Sequence, residues 1–538
     1  MLRFQSRGES GFAPPVFEAA PLDVHSSSFG EIARARGLSV APLPSPEMPA
    51  SGARVRNVYL NDPALQEIYP LGLLPLGQLY FFNWLGTHGR ADQRLTDAEI
   101  HAFLRESAEN ETRGACLTYL LQPGWQKSFP AALTETGWGQ FRGWIMEIYG
   151  RYLKRPLPAE APLEFVSGQS AGCGDGLRGV NILSHFCNPS GIQQAAFWTK
   201  TALERAALST SCRDVPVPRR IVPTDREEWL GLEIYPITIL THAAEPYFES
   251  GYERAGLWRR ENVYRVAYWA WELENVPDEW VKAAELVDEI WAPTRFVAEA
   301  MRARMPRPVY HMLPGVEIGP LETVPRASIG VPEDHFVFLF MFDLHSQMHR
   351  KNPVALFRAF QKAFRKTDRA TLLIKTTGGD IYSADLAALR ETIKGPNIIL
   401  FDQMMTRAQA YGLIATSDCF VSLHRSEGFG LGLAEAMLLA KPVIATAYSG
   451  NMDFMNGDNS LLVDYEMAEI TEDRLIYTRG NRWAEPSIEH AASLMRDVFE
   501  NPVQARARAT RAQPNVQRLL SLEAAGDRMR RRLEQIGN

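Results

Sequence analysis

Two glutamates separated by seven residues flank a glycine-rich stretch in the C-terminal half of the chain. The stretch reads HRSEGFGLGLAEAMLLAKPVIAT over residues 424–446, and the two glutamates are Glu427 and Glu435. A carboxylate repels phosphate, yet a glycine-rich turn from a strand into a helix is a common phosphate site, because free N–H groups and the positive helix end meet there. The two carboxylates are therefore expected to contact parts of a ligand other than its phosphates.

The elements around this turn decide which ligand would fit. The apolar segment CFVSLHR predicts a strand, and a helix is predicted to begin near Gly430, while Gly428 and Gly430 allow backbone N–H groups to approach a ligand closely. Glu435 would then lie about five residues into the helix, roughly 7 Å along its axis, with Glu427 on the other side of the turn. Hydroxyl groups at either end of a diphosphate could donate to both carboxylates. A nucleoside diphosphate sugar has this shape.

Two blocks of alternating strands and helices position the turn. Short segments that are apolar throughout alternate with helical stretches over residues 179–315 and again over 316–500. Strands of this kind are typical of parallel sheets covered on both faces. The sequence therefore predicts an α/β protein with two Rossmann-like domains that face each other across a cleft, and the cleft is the expected ligand site. Basic helices are predicted over residues 501–538.

The part before these domains has a different character. Residues 1–57 are rich in Pro, Ser, Gly and Ala and lack a sustained period, which predicts a poorly ordered or wrapping tail. Residues 58–165 are aromatic and helical in pattern, as in TDAEIHAFLRESAE with its threonine cap, and residues 166–179 have the composition of a linker. A mostly helical N-terminal extension is therefore expected.

Composition narrows the class of protein. The 538 residues suggest several domains, and the net charge of −6 argues against a dedicated nucleic-acid binder. Five cysteines without a CxxC pair fit reduced thiols in a cytoplasm. No apolar segment typical of a secretory signal opens the sequence. The uncharged segment over residues 69–86 contains two prolines and three glycines, which favours a buried hairpin or helix over a membrane-dipping segment.

The segment EGFGLGLAE resembles the Glu-x7-Glu signature of retaining glycosyltransferases with the GT-B fold, family 4 (group 1). The resemblance continues through FDLHSQMHRKNPVALFRAF, SDCFVSLHRSEGFGLGLAEAM and TAYSGNMDFM, and YWAWELENVPDEW and VDEIWAPTRFVAEAM are similar to a branch that builds bacterial surface polysaccharides. It covers roughly residues 179–500 and the first 165 residues only loosely. It implies transfer of a hexosyl unit from a nucleoside diphosphate sugar to a glycan, in polysaccharide or lipopolysaccharide biosynthesis.

The resemblance also implies roles for particular residues. Glu435 would hold the ribose diol, Glu427 would bind the hydroxyls of the donor sugar, and Lys351 would neutralise the departing diphosphate. Glu427 and Lys351 are the catalytic candidates. The other donor-side candidates are Gly428, Phe429, Gly430, Leu431, Arg350, Ser346, His424 and Asn451. The acceptor-side candidates are Gly191, Glu272 and Trp271.

The sequence departs from the family pattern in two places. The family usually has an arginine about five residues before the lysine, where this chain has Ser346, and Arg350 is the candidate substitute. The N-terminal loop of the family reads more like Gly-Leu-Gly-Glu, whereas this chain reads NPSGIQQAA, with Gly191 kept and Gln193 in place of the next glycine. These departures predict a differently built acceptor loop or weak activity.

Structural interpretations of the same residues stay open at this stage. The glutamate pair could be charge bias at a helix start, and Lys351 could be a surface lysine ahead of a helix. Glu272 could be an acceptor contact or half of an ion pair. The tryptophans at positions 269, 271, 280 and 291 are expected in the core rather than as a sugar platform, and the histidines at positions 185 and 242 are expected as core residues.

Expectations about cofactors and partners follow. No Asp-x-Asp motif or histidine cluster suits a metal ion, so neither a metal nor another cofactor is expected. The expected partners are a nucleotide-sugar donor and a glycan or lipid-linked glycan acceptor, without nucleic acid. A cytoplasmic location is expected, with peripheral association with the inner membrane if the acceptor is lipid-linked. The alternatives are a nucleotide-sugar epimerase of the same fold and a non-catalytic glycan-binding or scaffold protein.

Overall fold

The computed structural model describes residues 51–162, 177–217, 225–244, 248–474 and 476–537. Most of the predicted tail, over residues 1–50, and most of the predicted linker, over residues 163–176, lie outside the described residues. Within the described ranges no helix is long and apolar enough to cross a membrane. The four cysteines in these ranges are buried and unbonded to one another.

Residues 53–152 form a module of short helices, as the pattern predicts. Thr96 caps one helix through a reciprocal pair of hydrogen bonds with Glu99. The uncharged segment over residues 69–86 contributes the helix Gln78–Trp84, whose Phe81 is fully buried, so the prediction of a buried helix is confirmed. The α-helices of the module are α1 Ala53–Asn61, α2 Pro63–Ile68, α3 Gln78–Trp84, α4 Asp97–Glu109, α5 Glu111–Leu121, α6 Pro123–Ser128 and α7 Trp138–Tyr149.

The helical module contains one structural unit twice, with an offset of sixty residues. Tyr59 and Tyr119 each donate from the side-chain hydroxyl to the carbonyl ten residues further on, at 2.7 and 3.0 Å. Gln66 and Gln126 each donate from Nε2 to the carbonyls six and seven residues back, at 2.9 to 3.1 Å. The same buried side chains therefore fix the same turn in both units.

The N-terminal domain is a six-stranded parallel sheet with the order β2-β1-β3-β4-β5-β6. Its strands are β1 Gly179–Ser184, β2 Ser209–Asp214, β3 Ile237–Leu240, β4 Tyr264–Tyr268, β5 Glu289–Ala292 and β6 Val309–His311. Its α-helices are α8 Gly191–Arg205, α9 Gly251–Ala255, α10 Asp278–Ala283 and α11 Arg295–Arg302. Apolar strand residues such as Ile182 and Ile239 are fully buried, which confirms a sheet covered on both faces.

The C-terminal domain is a second six-stranded parallel sheet with the order β12-β11-β10-β7-β8-β9. Its strands are β7 Phe336–Met341, β8 Ala370–Thr376, β9 Ile398–Asp402, β10 Cys419–Ser422, β11 Val443–Thr446 and β12 Leu461–Val463. Its α-helices are α12 Met348–Lys351, α13 Pro353–Ala363, α14 Ser383–Thr392, α15 Arg407–Thr416, α16 Leu431–Leu438 and α17 Ile488–Glu500. The predicted pair of Rossmann-like domains in a GT-B arrangement is confirmed.

The last two helices, α18 Pro502–Leu520 and α19 Leu522–Gly537, return the chain to the N-terminal domain. A Cβ on Gly526 of α19 would lie 2.2 Å from the carbonyl oxygen of Ala202 in α8, so the two helices are packed backbone to backbone. The basic C-terminal helices predicted from the sequence therefore support the first sheet rather than the second.

An antiparallel hairpin was absent from the sequence prediction. Its strands, β13 Tyr465–Glu469 and β14 Arg482–Pro486, pair with each other and with neither large sheet. The polar edge strand β2 and the three-residue strands β6 and β12 were also not predicted. Period-based reading depends on runs of apolar residues, and these strands are short or carry charged residues on an exposed edge.

Candidate functional site

A cleft of about 320 Å³ opens at the carboxyl ends of the two sheets. Strand ends of both domains reach it, which is where ligands bind in doubly wound folds. The sequence-predicted residues that line it are Gly191, Glu272, Ser346, Arg350, Lys351, Glu427, Gly428, Phe429, Gly430 and Leu431. The structure thus brings together residues that are up to about 240 positions apart in the chain.

The glycine turn has the predicted strand-turn-helix form. Strand β10 ends at Ser422, and Gly430 has a φ of 91° immediately before α16, a conformation that favours glycine. The backbone N–H of Glu427 donates to Ser449 Oγ at 2.8 Å, and Thr294 of the N-terminal domain donates from Oγ1 to the carbonyl of Gly428 at 2.9 Å. The turn is therefore fixed by both domains.

Glu427 is held by two cations. Lys351 Nζ lies 2.5 Å from Oε1 and Arg350 Nη1 lies 3.1 Å from Oε2. Burial would raise the pKa of Glu427, but Lys351, Arg350 and His424 outweigh burial and lower it to about 2. Burial lowers the pKa of Lys351, although Glu427 opposes that shift. Glu427 is thus a permanent anion at the mouth of the turn, beside a lysine that keeps some access to the cleft.

Arg350 is less accessible than Lys351. Its side chain is 4% exposed and donates to the carbonyls of Ser426 and Ser346 at 2.8 and 3.1 Å. Glu272 of the N-terminal domain lies 3.5 Å from Nη2. Burial opposes the charge of Arg350, but Tyr477, Glu272 and Glu427 outweigh it and raise the pKa of the guanidinium. The residue offered as a substitute for the missing arginine is therefore largely engaged by the protein itself.

Glu435 has the opposite environment to Glu427. It lies in α16, is 4% exposed, and has one cation near it, Arg407, with Nη1 3.2 Å from Oε1. Burial raises the pKa of Glu435 to about 7, and Arg407 only partly opposes the shift. Arg407 also donates to Gln194 Oε1 at 3.2 Å, and its guanidinium lies 5.8 Å from the ring centroid of Trp198. It links the donor-side helix to the N-terminal domain.

Two donor-side candidates lie behind the turn and outside the lining of the cleft. His424 and Asn451 are fully buried, with Nε2 of the histidine 3.1 Å from Oδ1 of the asparagine. Thr446 donates to the carbonyl of His424 at 2.7 Å. Burial lowers the pKa of His424. The contacts of both residues support the turn from within the protein.

The acceptor-side candidates occupy different positions. Gly191 opens α8 at the cleft, and a Cβ there would meet nothing within 4 Å. Gln193, which replaces a family glycine, donates from Nε2 to the carbonyl of Phe186 at 2.6 Å and so closes the preceding loop. Glu272 both lines the cleft and pairs with Arg350. The acceptor loop is therefore built on a side-chain hydrogen bond.

The tryptophans lie in the core, as expected. Trp271 is 1% exposed, and its ring lies 5.1 Å from that of Trp280 and 5.8 Å from that of Tyr477. It is close to the cleft only through its backbone, whose carbonyl would lie 3.1 Å from a Cβ on Gly428. The core interpretation holds for the other three, which are at most 4% exposed.

Sequence reasoning missed Arg407 and Tyr477. Both contact candidate residues through side chains that come from elements with no motif of their own. Arg407 is the first residue of α15 and Tyr477 follows the hairpin strand β13. Over the described part of the chain, no group of three or more His, Cys, Asp or Glu residues is arranged to hold a metal ion.

Comparison with protein families gives one match. Residues 335–477 match the family described as glycosyl transferases group 1. The matched part contains the glycine turn, both glutamates and Lys351, and it is a glycosyltransferase domain, the domain of an enzyme. No curated protein sequence matches the chain.

Solved structures with a similar fold include several sugar-transferring enzymes. HepE of Anabaena, solved with UDP-glucose, is 14% identical with a TM-score of 0.47, and the match covers 66% of this chain and 99% of HepE. Sucrose-phosphate synthase of Thermosynechococcus elongatus is 16% identical with a TM-score of 0.47, covering 67% and 99%. TarM of S. aureus is 13% identical with a TM-score of 0.39, covering 55% and 54%. Similarity of this extent concerns the fold alone.

Proposed function

We propose that the chain is a retaining glycosyltransferase that transfers a hexosyl unit from a nucleoside diphosphate sugar to a glycan acceptor. The observation that carries the proposal is the pair of buried carboxylates on either side of the glycine turn, with Lys351 against the first. A ligand that meets both carboxylates and the turn must combine hydroxyl groups at two ends with an anionic centre. Nucleoside diphosphate sugars are the common ligands of this kind.

The donor would lie along the turn. Its ribose diol would donate to Glu435, its diphosphate would face the first turn of α16, and its sugar hydroxyls would donate to Glu427. Lys351 has three N–H donors and spends one on Glu427, so others are free for a phosphate oxygen. The charges of Arg350, Lys351, Glu427 and Glu272 cancel, so the helix end and the turn amides would share the work of holding the diphosphate.

Two orphan donors support an acceptor site on the opposite wall. Thr241 Oγ1 and Trp269 Nε1 belong to residues that line the cleft from the N-terminal domain, and both are at least nine-tenths buried. Neither atom has a hydrogen-bond partner among the described residues. A buried polar group without a partner costs about 1–3 kcal/mol, which a hydroxyl-rich ligand would relieve. A glycan acceptor is such a ligand.

Retention requires the new bond on the face that the leaving group occupied. The bond between the sugar C1 and the phosphate oxygen breaks, the acceptor oxygen bonds to C1 on the same face, and the acceptor proton moves to the leaving diphosphate oxygen. Lys351 and the positive end of α16 would stabilise the charge on that leaving group. Glu427, as a permanent anion, would favour the positive character that develops on the sugar ring.

The biological setting proposed is bacterial surface polysaccharide or lipopolysaccharide biosynthesis in the cytoplasm. With a lipid-linked acceptor the protein would associate peripherally with the inner membrane. Metal ions would not be needed, because the helix end and Lys351 take the diphosphate charge. Activity that is lost with EDTA and restored by Mg²⁺ or Mn²⁺ would contradict this part of the proposal.

The test begins with UDP-, GDP- and dTDP-sugars. The expected result is a rise in melting temperature with one nucleotide series, followed by slow hydrolysis of that donor and transfer to an added glycan with retained anomeric configuration. A Glu427→Ala variant should lose hydrolysis and transfer. Conversion of the donor to its epimer without an acceptor would instead show an epimerase. No shift and no turnover with any donor would leave a non-catalytic glycan-binding protein as the better description.

A further inference from the structure

The unpredicted hairpin of β13 and β14 reaches from the C-terminal domain to the N-terminal domain. Ile470, Tyr477 and Trp483, on or next to its strands, share one hydrophobic cluster with Trp271 and Trp280 of the N-terminal domain. A two-stranded hairpin is only marginally stable alone, so contacts of this kind must hold it in place. The hairpin is therefore a strap across the back of the cleft.

Tyr477 is the residue of this strap that contacts the site. It is 2% exposed, and its hydroxyl lies 3.1 Å from Glu272 Oε2. The other carboxylate oxygen of Glu272 lies 3.5 Å from Arg350 Nη2, and the Arg350 guanidinium lies 6.0 Å from the centroid of the Tyr477 ring. Burial raises the pKa of Tyr477, so the hydroxyl stays neutral and donates to Glu272.

The second strand of the hairpin is tied to the same site through Arg425. Ala484 donates its backbone N–H to the carbonyl of Arg425 at 2.9 Å, and Arg425 Nε lies 2.7 Å from Glu485 Oε2. The Arg425 guanidinium lies 5.1 Å from the ring centroid of Trp483 and donates to the carbonyl of His349 at 2.8 Å. The strap therefore fixes the backbone two residues before Glu427 and two residues before Lys351.

We propose that Tyr477 is a positioning residue for glycosyl transfer, which holds Glu272 against Arg350 so that Arg350 and Lys351 present Glu427 in one orientation. The proposal rests on the function proposed above. Tyr477 contacts none of the groups expected to bind the nucleotide, because Glu435 and Arg407 lie on the other side of the turn. Its loss should therefore change turnover and leave nucleotide binding nearly unchanged.

The physical reason lies in how the four charged groups share partners. Glu272 has a side chain 22% exposed toward the cleft, so without the Tyr477 hydroxyl it is free to turn toward solvent or ligand. Arg350 would then have one carboxylate instead of two and would draw Glu427 away from Lys351. A carboxylate misplaced by about 1 Å at the reacting sugar is enough to reduce the rate by orders of magnitude.

The experiment uses the full chain with Tyr477→Phe, which keeps the ring against Trp271 and removes only the hydroxyl. Tyr465→Phe is the matched control, because Tyr465 lies on the same hairpin with its ring against Tyr448, 5.2 Å away. Tyr477→Phe is expected to lower kcat about tenfold or more while the Kd of UDP or GDP changes less than threefold. The control should match the wild type in kcat, Kd and melting temperature.

A double-mutant cycle with Glu272→Gln separates positioning from simple packing. Because both residues act through one hydrogen bond, the kcat of Tyr477→Phe in the Glu272→Gln background should equal that of Glu272→Gln alone. Multiplying effects, or a wild-type kcat in Tyr477→Phe, would overturn the proposal while leaving the proposed function intact. Absence of turnover by the wild type with every donor would overturn the proposed function and this proposal with it.

Discussion

The two glutamates of the glycine turn differ most clearly at the level of the single residue. Their pKa values are shifted in opposite directions, to about 2 for Glu427 and about 7 for Glu435, although both are buried. The difference comes from their neighbours, since Glu427 has two cations in hydrogen-bond contact and Glu435 has one at the edge of its reach. One carboxylate is fixed as an anion and the other titrates near neutrality.

The titration of Glu435 predicts a pH-dependent stability. Its folded pKa is raised above the unfolded value near 4.5, so its contribution to stability is fully present below that value and is lost as pH rises through about 7. In denaturant unfolding, Glu435→Gln should gain on the wild type between pH 5 and pH 8.5, by at most roughly 3 kcal/mol. The exposed Glu67→Gln variant should show no such trend. A pH-independent difference would contradict the buried, titrating carboxyl.

The proposed roles of the glutamates predict different kinetic defects. Glu435→Gln gives up charge-assisted bonds worth about 1.5–3 kcal/mol, so donor affinity should fall about tenfold to hundredfold with little change in kcat at saturation. Glu427→Gln should instead lower kcat far more than nucleotide affinity, because its charge matters as the sugar ring becomes positive. Titration with UDP or GDP and steady-state kinetics measure both. If Glu435→Gln abolished turnover with nucleotide binding unchanged, the donor would lie the other way round.

At the level of elements, the duplicated unit of the helical module depends on two equivalent glycines. A Cβ on Gly137 would lie 1.9 Å from the carbonyl oxygen of Ala131, and one on Gly77 would lie 2.0 Å from that of Leu71. At both positions the start of a helix approaches the preceding turn too closely for any side chain. The repeat is visible in the sequence as YLNDPALQEIYP and YLLQPGWQKSFP, but its identical positions are too few and too widely spaced to be recognised without the structure.

Gly137→Ala should therefore destabilise the protein by about 1–3 kcal/mol, because backbone must move to make room for the methyl group. Gly143→Ala in the interior of the following helix is the matched control, since a Cβ there meets nothing within 4 Å. That change should be neutral or stabilise by up to about 1 kcal/mol. Denaturant unfolding of both variants measures the contrast, and equal effects would show that the close approach is unimportant.

Elements also show what the sequence could and could not predict. The strands β7, β8 and β10 were predictable because each is a continuous apolar run, and the turn between Glu427 and Glu435 was predictable because its spacing is local. The hairpin β13–β14 is short and charged, so no period marks it. The contacts of Glu427 with Arg350, of Glu272 with Tyr477 and of Glu435 with Arg407 join distant segments, and only the folded chain brings them together.

At the level of the whole molecule, the helical module is part of the N-terminal domain's core. None of the described residues that line the cleft belongs to it. It is joined to the first sheet by fully buried arginines: Arg213 donates to the carbonyls of Leu120 and Gly256, and Arg226 donates to the carbonyl of Leu60. Burial lowers the pKa of both guanidinium groups. Such contacts suit a permanent interface and make the module a support for the acceptor-side wall.

Arg226 therefore carries a prediction about the integrity of the whole chain. Its Nε lies 3.0 Å from Oδ2 of Asp214, and both side chains are at most 1% exposed. Arg226→Met would leave that carboxylate buried without its cation, and one carbonyl of the module without its donor, which should cost about 3–5 kcal/mol. Arg54→Met, which removes a partly exposed pair with Glu99, should cost at most about 1 kcal/mol. Denaturant unfolding followed by tryptophan fluorescence would measure both, with the module expected to separate in an earlier transition only in Arg226→Met. Equal stability of the two variants would mean that the module is not held by this buried pair.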